Sequence, residues 1–391
     1  VKIVLAPDSF KGSLRSAEVI ELVAASIERN WRACDIVRVP IADGGEGTLE
    51  ALVDAAGGRY VATTAMNACR ETVSVRYGVI NDDTAVIELA TIAGLADMPA
   101  SLQDPRQTTS RGVGELIRRA LEDGYTRLLI GIGGSATNDG GMGLLSALGA
   151  RFFDGDELLL GCGADLGRVT RIELDSLLPQ LRAADIRVIC DVTNPLLGTE
   201  GASRVYGPQK GASPDMVERL EQGMENYSKV FSRQYGIDIA TATGSGAAGG
   251  VGAALGCVLG ARLCPGIDAV LEAIGFDALL AGADLVVTGE GRLDGQSVRF
   301  GKGVAGIARR CRTRNVPLAI LVGSLGEGWE GIHEIARCSV MTAVDRPMDV
   351  DQAIHDAARL ISAAADRMCG FIGLLQPGAA EFQARSAPNA V

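Results

Sequence analysis

Short apolar runs, each followed by glycine and polar residues, recur along this chain of 391 residues. Ile3–Ala6 reads as a buried strand ended by Pro7, and residues 8–14, DSFKGSL, as the loop after it. Val19, Ile20, Val23 and Ile27 then follow at helical spacing, with Ser16 as the expected cap. Ile36–Val39 predicts a second strand, residues 43–48 (DGGEGT) a second polar loop, and Leu49–Ala56 a second helix. This succession predicts an α/β chain. Loops at the carboxyl ends of such strands are where open sheets bind ligands. From Tyr60 to Leu89 the pattern changes to alternation, in Thr72–Tyr77 and Thr84–Leu89, which predicts antiparallel strands and a domain boundary near residue 60.

The densest glycine loop lies in residues 127–143, RLLIGIGGSATNDGGMG, directly after the apolar run Leu128–Ile130. Glycines let main-chain N–H groups converge on an anion that a Cβ would keep away. The spacing Gly131, Gly133, Ala136 fits a loose dinucleotide fingerprint, but that motif opens a helix at once, and here residues 137–141 (TNDGG) intervene. A nicotinamide site is therefore set aside. Further along, Thr108–Gly112 is a polar loop opening the helix Val113–Glu122, whose N-terminus could hold an anion. The strand Val188–Cys190 runs into Asp191–Pro195, and Tyr206–Ala212 precedes a helix starting at Asp215. Leu285–Val287 is read as a strand ending in a loop over 288–297, before the helix Val304–Cys311, the strand Leu318–Val322 and a last helix Val350–Met368. The tail from Gln376 is expected to be disordered. Residues 239–261 carry no charge, yet seven of them are glycine, so a buried small-residue helix is expected there and not a membrane span.

Composition narrows the function classes. With 51 glycines and 4% aromatic residues, packing falls to Val, Leu, Ile and Ala, and the length predicts two domains. A net charge of −11 argues against nucleic acid or a membrane surface as partner, because phosphate-rich polymers are repelled at long range. Nine cysteines with no C-x-x-C pair read as reduced thiols of a cytoplasmic protein, and the N-terminus reads as a strand and not a signal peptide. The chain has five lysines, and three of them, Lys11, Lys210 and Lys302, are followed directly by glycine in polar loops. A compact ammonium suits phosphate where a guanidinium is too wide.

Motifs for other chemistries are missing. There is no G-x-x-x-x-G-K-[ST] loop, no H-R-D and no G-x-S-x-G elbow, and the two histidines, His333 and His355, lie outside the glycine loops. What remains is carboxylates, lysines, arginines and glycine N–H groups, which suit phosphoryl transfer with Mg²⁺. Asp8 and Asp43 are candidate ligand or metal contacts, and Asp294 is preferred over Asp191 as base. Glu290 and Glu46 are candidates for Mg²⁺ or for orienting Arg292. Ser135, Asn138 and Asp139 are assigned to nucleotide phosphates and metal.

The segments APDSFKGSL (6–14), ADGGEGT (42–48), GIGGSATNDGG (131–141), DVTNPLLG (191–198), GPQKGA (207–212), PGID (265–268) and TGEGRLDGQS (288–297) closely resemble the bacterial type I glycerate kinases in one order. The resemblance extends to about residue 375 and departs at Gln107, Arg111 and the FGKGV segment of residues 300–304. It implies ATP- and Mg²⁺-dependent phosphorylation of glycerate, D-glycerate at its 2-hydroxyl, with 3-phosphorylation and a non-catalytic nucleotide- or acid-binding regulator as alternatives. It implies a Rossmann-like or flavodoxin-like domain built from residues 1–60 and 285–375, an inserted α/β domain with a mixed sheet over 61–284, and an active site in the cleft. The residues expected in catalysis are Asp294, Lys11, Asp191 and Arg292. Substrate is expected at Asp8, Ser9, Lys11, Ser13, Asp43, Gly44, Gly45 and Glu46. The nucleotide is expected at Gly133, Gly134, Ser135, Asn138, Asp139 and Lys210, and metal at Asp191, Glu290 and Asp139. The expected partners are ATP and glycerate, with a homodimer as the assembly to test.

Overall fold

The structure is a computed structural model that describes residues 1–373 except 11, 32–33, 43 and 300–302. In chain order come β1 (Lys2–Leu5), α1 (Ser16–Asn30), β2 (Asp35–Arg38), α2 (Thr48–Ala55), β3 (Arg59–Met66), β4 (Thr72–Ile80), β5 (Thr84–Glu88), α3 (Arg111–Glu122), β6 (Arg127–Gly131) and α4 (Met142–Ala147). A small sheet of β7 (Arg151–Asp154), β8 (Glu157–Leu158) and β9 (Arg171–Glu173) precedes β10 (Asp185–Ile189), α5 (Pro214–Tyr235), β11 (Arg262–Cys264) and α6 (Gly266–Ala273). The remainder holds β12 (Leu285–Leu293), α7 (Gly295–Arg299), α8 (Gly303–Arg314), β13 (Leu318–Leu325), β14 (Cys338–Thr342), α9 (Val350–His355) and α10 (Ala357–Gly373).

The chain forms two compact units. One is built from both ends of the described chain, Val1–Pro40 and most of the stretch from Asp277 to Gly373, and the other chiefly from Ile41–Phe276. The terminal unit has a five-stranded sheet in the order β14-β13-β12-β1-β2, every pair parallel. Counted within the unit this is the 2-1-3-4-5 order of flavodoxin-like sheets, with its switch point between β1 and β12. Ile3 and Leu5 of β1, Val19, Ile20 and Ile27 of α1, and Leu360, Ile361 and Met368 of α10 make one buried cluster. The apolar spacing read from the sequence of α1 is what points these residues inward.

The central unit has a six-stranded sheet in the order β11-β10-β6-β5-β4-β3. Its first four strands are parallel to one another and the last two pairings are antiparallel. Register places Glu88, Gly131, Ile189 and Cys264 in one row across the carboxyl ends of the four parallel strands. Helix α2 buries Leu49, Leu52 and Val53. Gly78 of β4 lets it approach, since a Cβ there would lie 2.3 Å from Val53 Cγ2. Tyr227 of α5 packs against Phe152 of the small sheet and Phe231 of its own helix, with ring centroids 5.8 and 5.0 Å away.

Four local expectations change. The glycine-rich stretch after Val287 is not a loop, because β12 stays paired with β13 through Leu293 and Leu325. Glycine serves close strand approach there: a Cβ on Gly289 would sit 1.9 Å from the Leu321 carbonyl. The last helix is two, with Asp349 capping α9 through Gln352 N and the break falling at Asp356. Ser16 is the first helical residue and Arg15 the cap, while Ser16 Oγ donates to the Pro7 carbonyl at 2.7 Å. The charge-free stretch yields not one regular helix but a 3-10 segment over Ala247–Gly250, the short helix Val251–Ala253 and a wider turn over Ala254–Val258. Among the described residues no helix is long and apolar enough to cross a membrane.

Candidate active site

Both units present polar groups at the carboxyl ends of parallel strands. In the terminal unit the chain leaving β1 stays bonded to β12: Ala6 N donates to the Val287 carbonyl and Asp8 N to the Gly289 carbonyl, each at 2.8 Å. Thr288 Oγ1 donates back to the Ala6 carbonyl at 2.7 Å. Buried Phe10 anchors the following loop, and Ser13 Oγ donates to its carbonyl. Ser9 N donates to Asp8 Oδ1 at 2.6 Å. The switch point thus joins Asp8 and Ser9 to the strand that carries Glu290, Arg292 and, just beyond it, Asp294.

Asp8, Glu290 and Asp294 are all half-buried. Ser297 Oγ donates to Glu290 Oε2 at 3.3 Å. Asp294 Oδ1 accepts from Gln296 N and Ser297 N at 2.9 and 3.2 Å, which makes it the cap of α7. Its other oxygen, Oδ2, lies 3.7 Å from Nε of Arg292, a side chain 66% exposed. One oxygen is therefore held by the backbone while the other faces a cation in a partly hydrated setting. Lys11 and Lys302 lie outside the described residues.

In the central unit two glycine loops lie against each other above the row of strand ends. Gly133 N donates to the Gly44 carbonyl at 3.0 Å. A Cβ on Gly44 would fall 2.2 Å from Ile189 Cγ2, and one on Gly133 would fall 2.7 Å from Gly45 Cα, so neither position tolerates a side chain. Thr48 Oγ1 accepts from Gly44 N and donates to the Gly45 carbonyl. Glu88, 3% exposed, accepts from Gly47 N at 3.2 Å and Leu49 N at 2.8 Å, and so supplies the anion for the start of α2. Burial pushes its carboxyl up to about 7, against the pull of those two donors. Glu46 and Gly134 are exposed. Asp43 lies outside the described residues. Asp191, after β10, is half-buried and accepts from Gly266 N at the start of α6 at 2.6 Å.

The far half of the Gly131–Gly141 loop turns inward. Asn138 and Asp139 have no exposed surface, and Ser135 is buried. Asp139 Oδ2 accepts from Ser110 N, Ser110 Oγ and Gly143 N, and Oδ1 accepts from Gly141 N, at 2.7 to 3.2 Å. These donors belong to the starts of α3 and α4, so the anion expected at the N-terminus of α3 is a side chain of the protein itself. Burial raises the Asp139 carboxyl and the four donors oppose the rise. Asn138 Nδ2 donates to buried Ser203 Oγ at 3.0 Å. Lys210, 2% exposed, donates through Nζ to Ser135 Oγ at 2.8 Å and to the Thr137 carbonyl at 2.7 Å. Burial lowers its ammonium to about 7, with the charge of Asp139 resisting.

Within each unit, the expected residues that come together are Asp8, Ser9, Ser13, Glu290, Arg292 and Asp294 in one, and Gly44, Gly45, Glu46, Gly133, Gly134, Ser135 and Lys210 in the other. Glu88 and Ser203 were not expected, and Thr48 and Ser110 lie in expected polar loops without a role of their own. The one signal for Glu88 is a carboxylate closing an otherwise apolar strand run. The two histidines are elsewhere: His333 Nδ1 is 3.5 Å from Cys338 Sγ, and exposed His355 contacts Asp356. Among the described residues no group of three or more His, Cys, Asp or Glu forms a ready metal cage.

Residues 3–373 match the glycerate kinase family. A relative from Escherichia coli (strain K12), named glycerate 2-kinase, is 42% identical over 360 residues, 91% of this chain and 94% of its own length. A glycerate kinase from Bacillus subtilis (strain 168) is 40% identical over 377 residues, 96% of this chain and 98% of its own. The crystal structure of a protein from Salmonella typhimurium LT2, provisionally named glycerate kinase 2, superposes with a TM-score of 0.84 at 40% identity, covering 96% of this chain and 99% of that one. Motif order, fold and near full-length coverage agree, and the chain belongs to the glycerate kinase family.

Proposed function

We propose that this chain transfers the γ-phosphoryl group of ATP to the 2-hydroxyl of D-glycerate, giving 2-phosphoglycerate and ADP. The observation that carries the reading is the switch point of the terminal unit, where Asp8 and Ser9 adjoin the strand bearing Glu290 and Arg292, with Asp294 just past its end. The name of the Escherichia coli relative supports the 2-hydroxyl.

Phosphoryl transfer needs little covalent help from a protein and much positioning and charge compensation. Asp294 is proposed as the base. Its backbone-held oxygen fixes the carboxylate, and its second oxygen takes the hydroxyl proton while the new O–P bond forms and the bond from the γ-phosphorus to the bridging oxygen breaks. Arg292 and Lys11 compensate negative charge on phosphoryl or substrate carboxylate. Asp8, Ser9, Ser13, Asp43, Gly44, Gly45 and Glu46 are proposed to hold glycerate, and Gly134 and Ser135 the nucleotide phosphates through main-chain N–H groups, with Gly133, whose N–H holds the Gly44 carbonyl, framing the loop. Mg²⁺ takes oxygen donors and is held through one or two carboxylates plus phosphate oxygens, and half-buried Glu290 in the terminal unit and half-buried Asp191 in the central unit are each of the right chemistry to supply one. When bound, it neutralises charge on the β- and γ-phosphates. Asp139 does not fit that role, since four donors already occupy its two oxygens. It is proposed as the internal anchor of the loop, with Asn138 beside it.

A coupled ADP-release assay tests the reading, with D-glycerate set against other small hydroxy acids. Glycerate should stimulate ATP turnover most. Failure of every hydroxy acid to do so would remove the kinase assignment and favour a non-catalytic regulator.

A further inference from the structure

Lys210 comes from the segment GPQKGA and ends a tight turn, Pro208–Lys210, that Gly211 reverses at φ 93°. A side chain on Gly211 would meet the Gln103 carbonyl at 2.1 Å, so the turn and its lysine are locked from behind. An ammonium has three donors. Two of them reach Ser135 Oγ and the Thr137 carbonyl, two positions of one loop separated by a single residue. Ala136 between them is pinned from the other direction, its N–H donating to the Ala93 carbonyl at 2.8 Å. The loop therefore has an outer part, half-buried Gly133 and exposed Gly134, and an inner part, Ser135 to Asp139, which is buried. Lys210 contacts only the inner part.

We infer that Lys210 is a positioning residue for the loop Gly133–Asp139, acting through Ser135 and the Thr137 carbonyl and not by touching a phosphate. This rests on the reading of that loop as the nucleotide-phosphate binder. A lysine reaching for a phosphate would keep its head in solvent until ligand arrived, whereas this one spends two donors on the loop itself. Bracing positions 135 and 137 sets the curvature that presents the N–H of exposed Gly134, next to Gly133, whose own N–H holds the Gly44 carbonyl. An arginine would not substitute, because its planar five-donor head is bulkier than the compact ammonium enclosed at this buried position.

The test is calorimetric binding of ADP with Mg²⁺ to the full chain, which needs no turnover, joined to steady-state kinetics. K210M and S135A should each weaken ADP, K210M by tenfold or more. The double variant should be no weaker than K210M, because both changes cut the same connection. The KM for ATP should rise in parallel while that for glycerate stays within twofold, and K210R should not restore either. A purely structural role would lower the folded fraction and leave the ADP affinity of folded protein at the wild-type value, which would overturn the inference. Independent, multiplicative effects of K210M and S135A would overturn it in favour of direct phosphate contact. If K210M does not fold, S135A decides alone: unchanged ADP affinity contradicts the inference. Wild-type protein that binds ADP but phosphorylates no hydroxy acid would sink the kinase reading and leave the role of Lys210 to the binding data.

Discussion

The two sheets end in loops of the same composition and use them in opposite ways. At the switch point of the terminal unit, Asp8, Glu290 and Asp294 are half-buried, and Asp294 has one oxygen on the backbone and the other towards an exposed arginine. At the carboxyl ends of the central sheet, Glu88, Asp139 and Lys210 are buried, and each is hydrogen-bonded to groups of the protein's own loops and helix starts. A carboxylate beside glycine is thus either a reagent or a fastener. What decides is whether nearby N–H groups have already saturated it. Saturated groups hold a frame, and groups with an oxygen to spare are available for chemistry.

The sharpest contrast is between D294N and D139N. Asparagine at 294 keeps an oxygen for the α7 cap but cannot take a proton, so turnover should fall by about 10²–10⁴-fold with the urea midpoint nearly unchanged. Wild-type turnover in D294N would move the base elsewhere. Asparagine at 139 points an amide at donors, and the unmet groups should cost roughly 2–3 kcal/mol. D139N should therefore lower the urea midpoint clearly while the folded enzyme keeps most of its turnover. An inactive, fully stable D139N would place that residue in the chemistry and erase the contrast.

A smaller effect is expected from Glu88. Its carboxyl is raised from 4.5 to about 7 in the folded chain, so between those values the folded state binds the extra proton. Stability therefore falls as pH rises through this window, by roughly 3 kcal/mol as an upper bound. E88Q lacks this term. The stability of wild type relative to E88Q should drop between pH 5 and pH 8 in urea titrations, and an equal difference at both values would show that the carboxyl does not titrate there. Lys210 acts in the adjoining window. Its ammonium is lowered from 10.5 to about 7, so its contribution rises with pH above 7, equally in wild type and E88Q, and cancels in their difference.

Local pattern carried much of this fold. Apolar periodicity marked β1, α1, β2 and the strand ends that place Asp8, Gly44 and Gly133, since burial of one face acts over a few residues. The shift to alternation at residue 60 marked where the antiparallel strands begin. It could not show that α2 already belongs with them, because that follows from Leu49 and Val53 meeting β4. The same limit applies to the site. Ser110 lies 29 residues from Asp139, Leu49 lies 39 from Glu88, and Ser135 lies 75 from Lys210, so no spacing rule reports that these groups meet. Glycine density misled at β12, where it serves strand packing and resembles a loop.

Proton-coupled phosphorus NMR of the full chain with ATP, Mg²⁺ and D-glycerate tests the central claim most directly. The account predicts a new phosphomonoester resonance split by a single methine proton, the mark of 2-phosphoglycerate. Splitting by a methylene pair would contradict the 2-hydroxyl assignment, and no new phosphomonoester with unconsumed ATP would contradict the kinase reading itself.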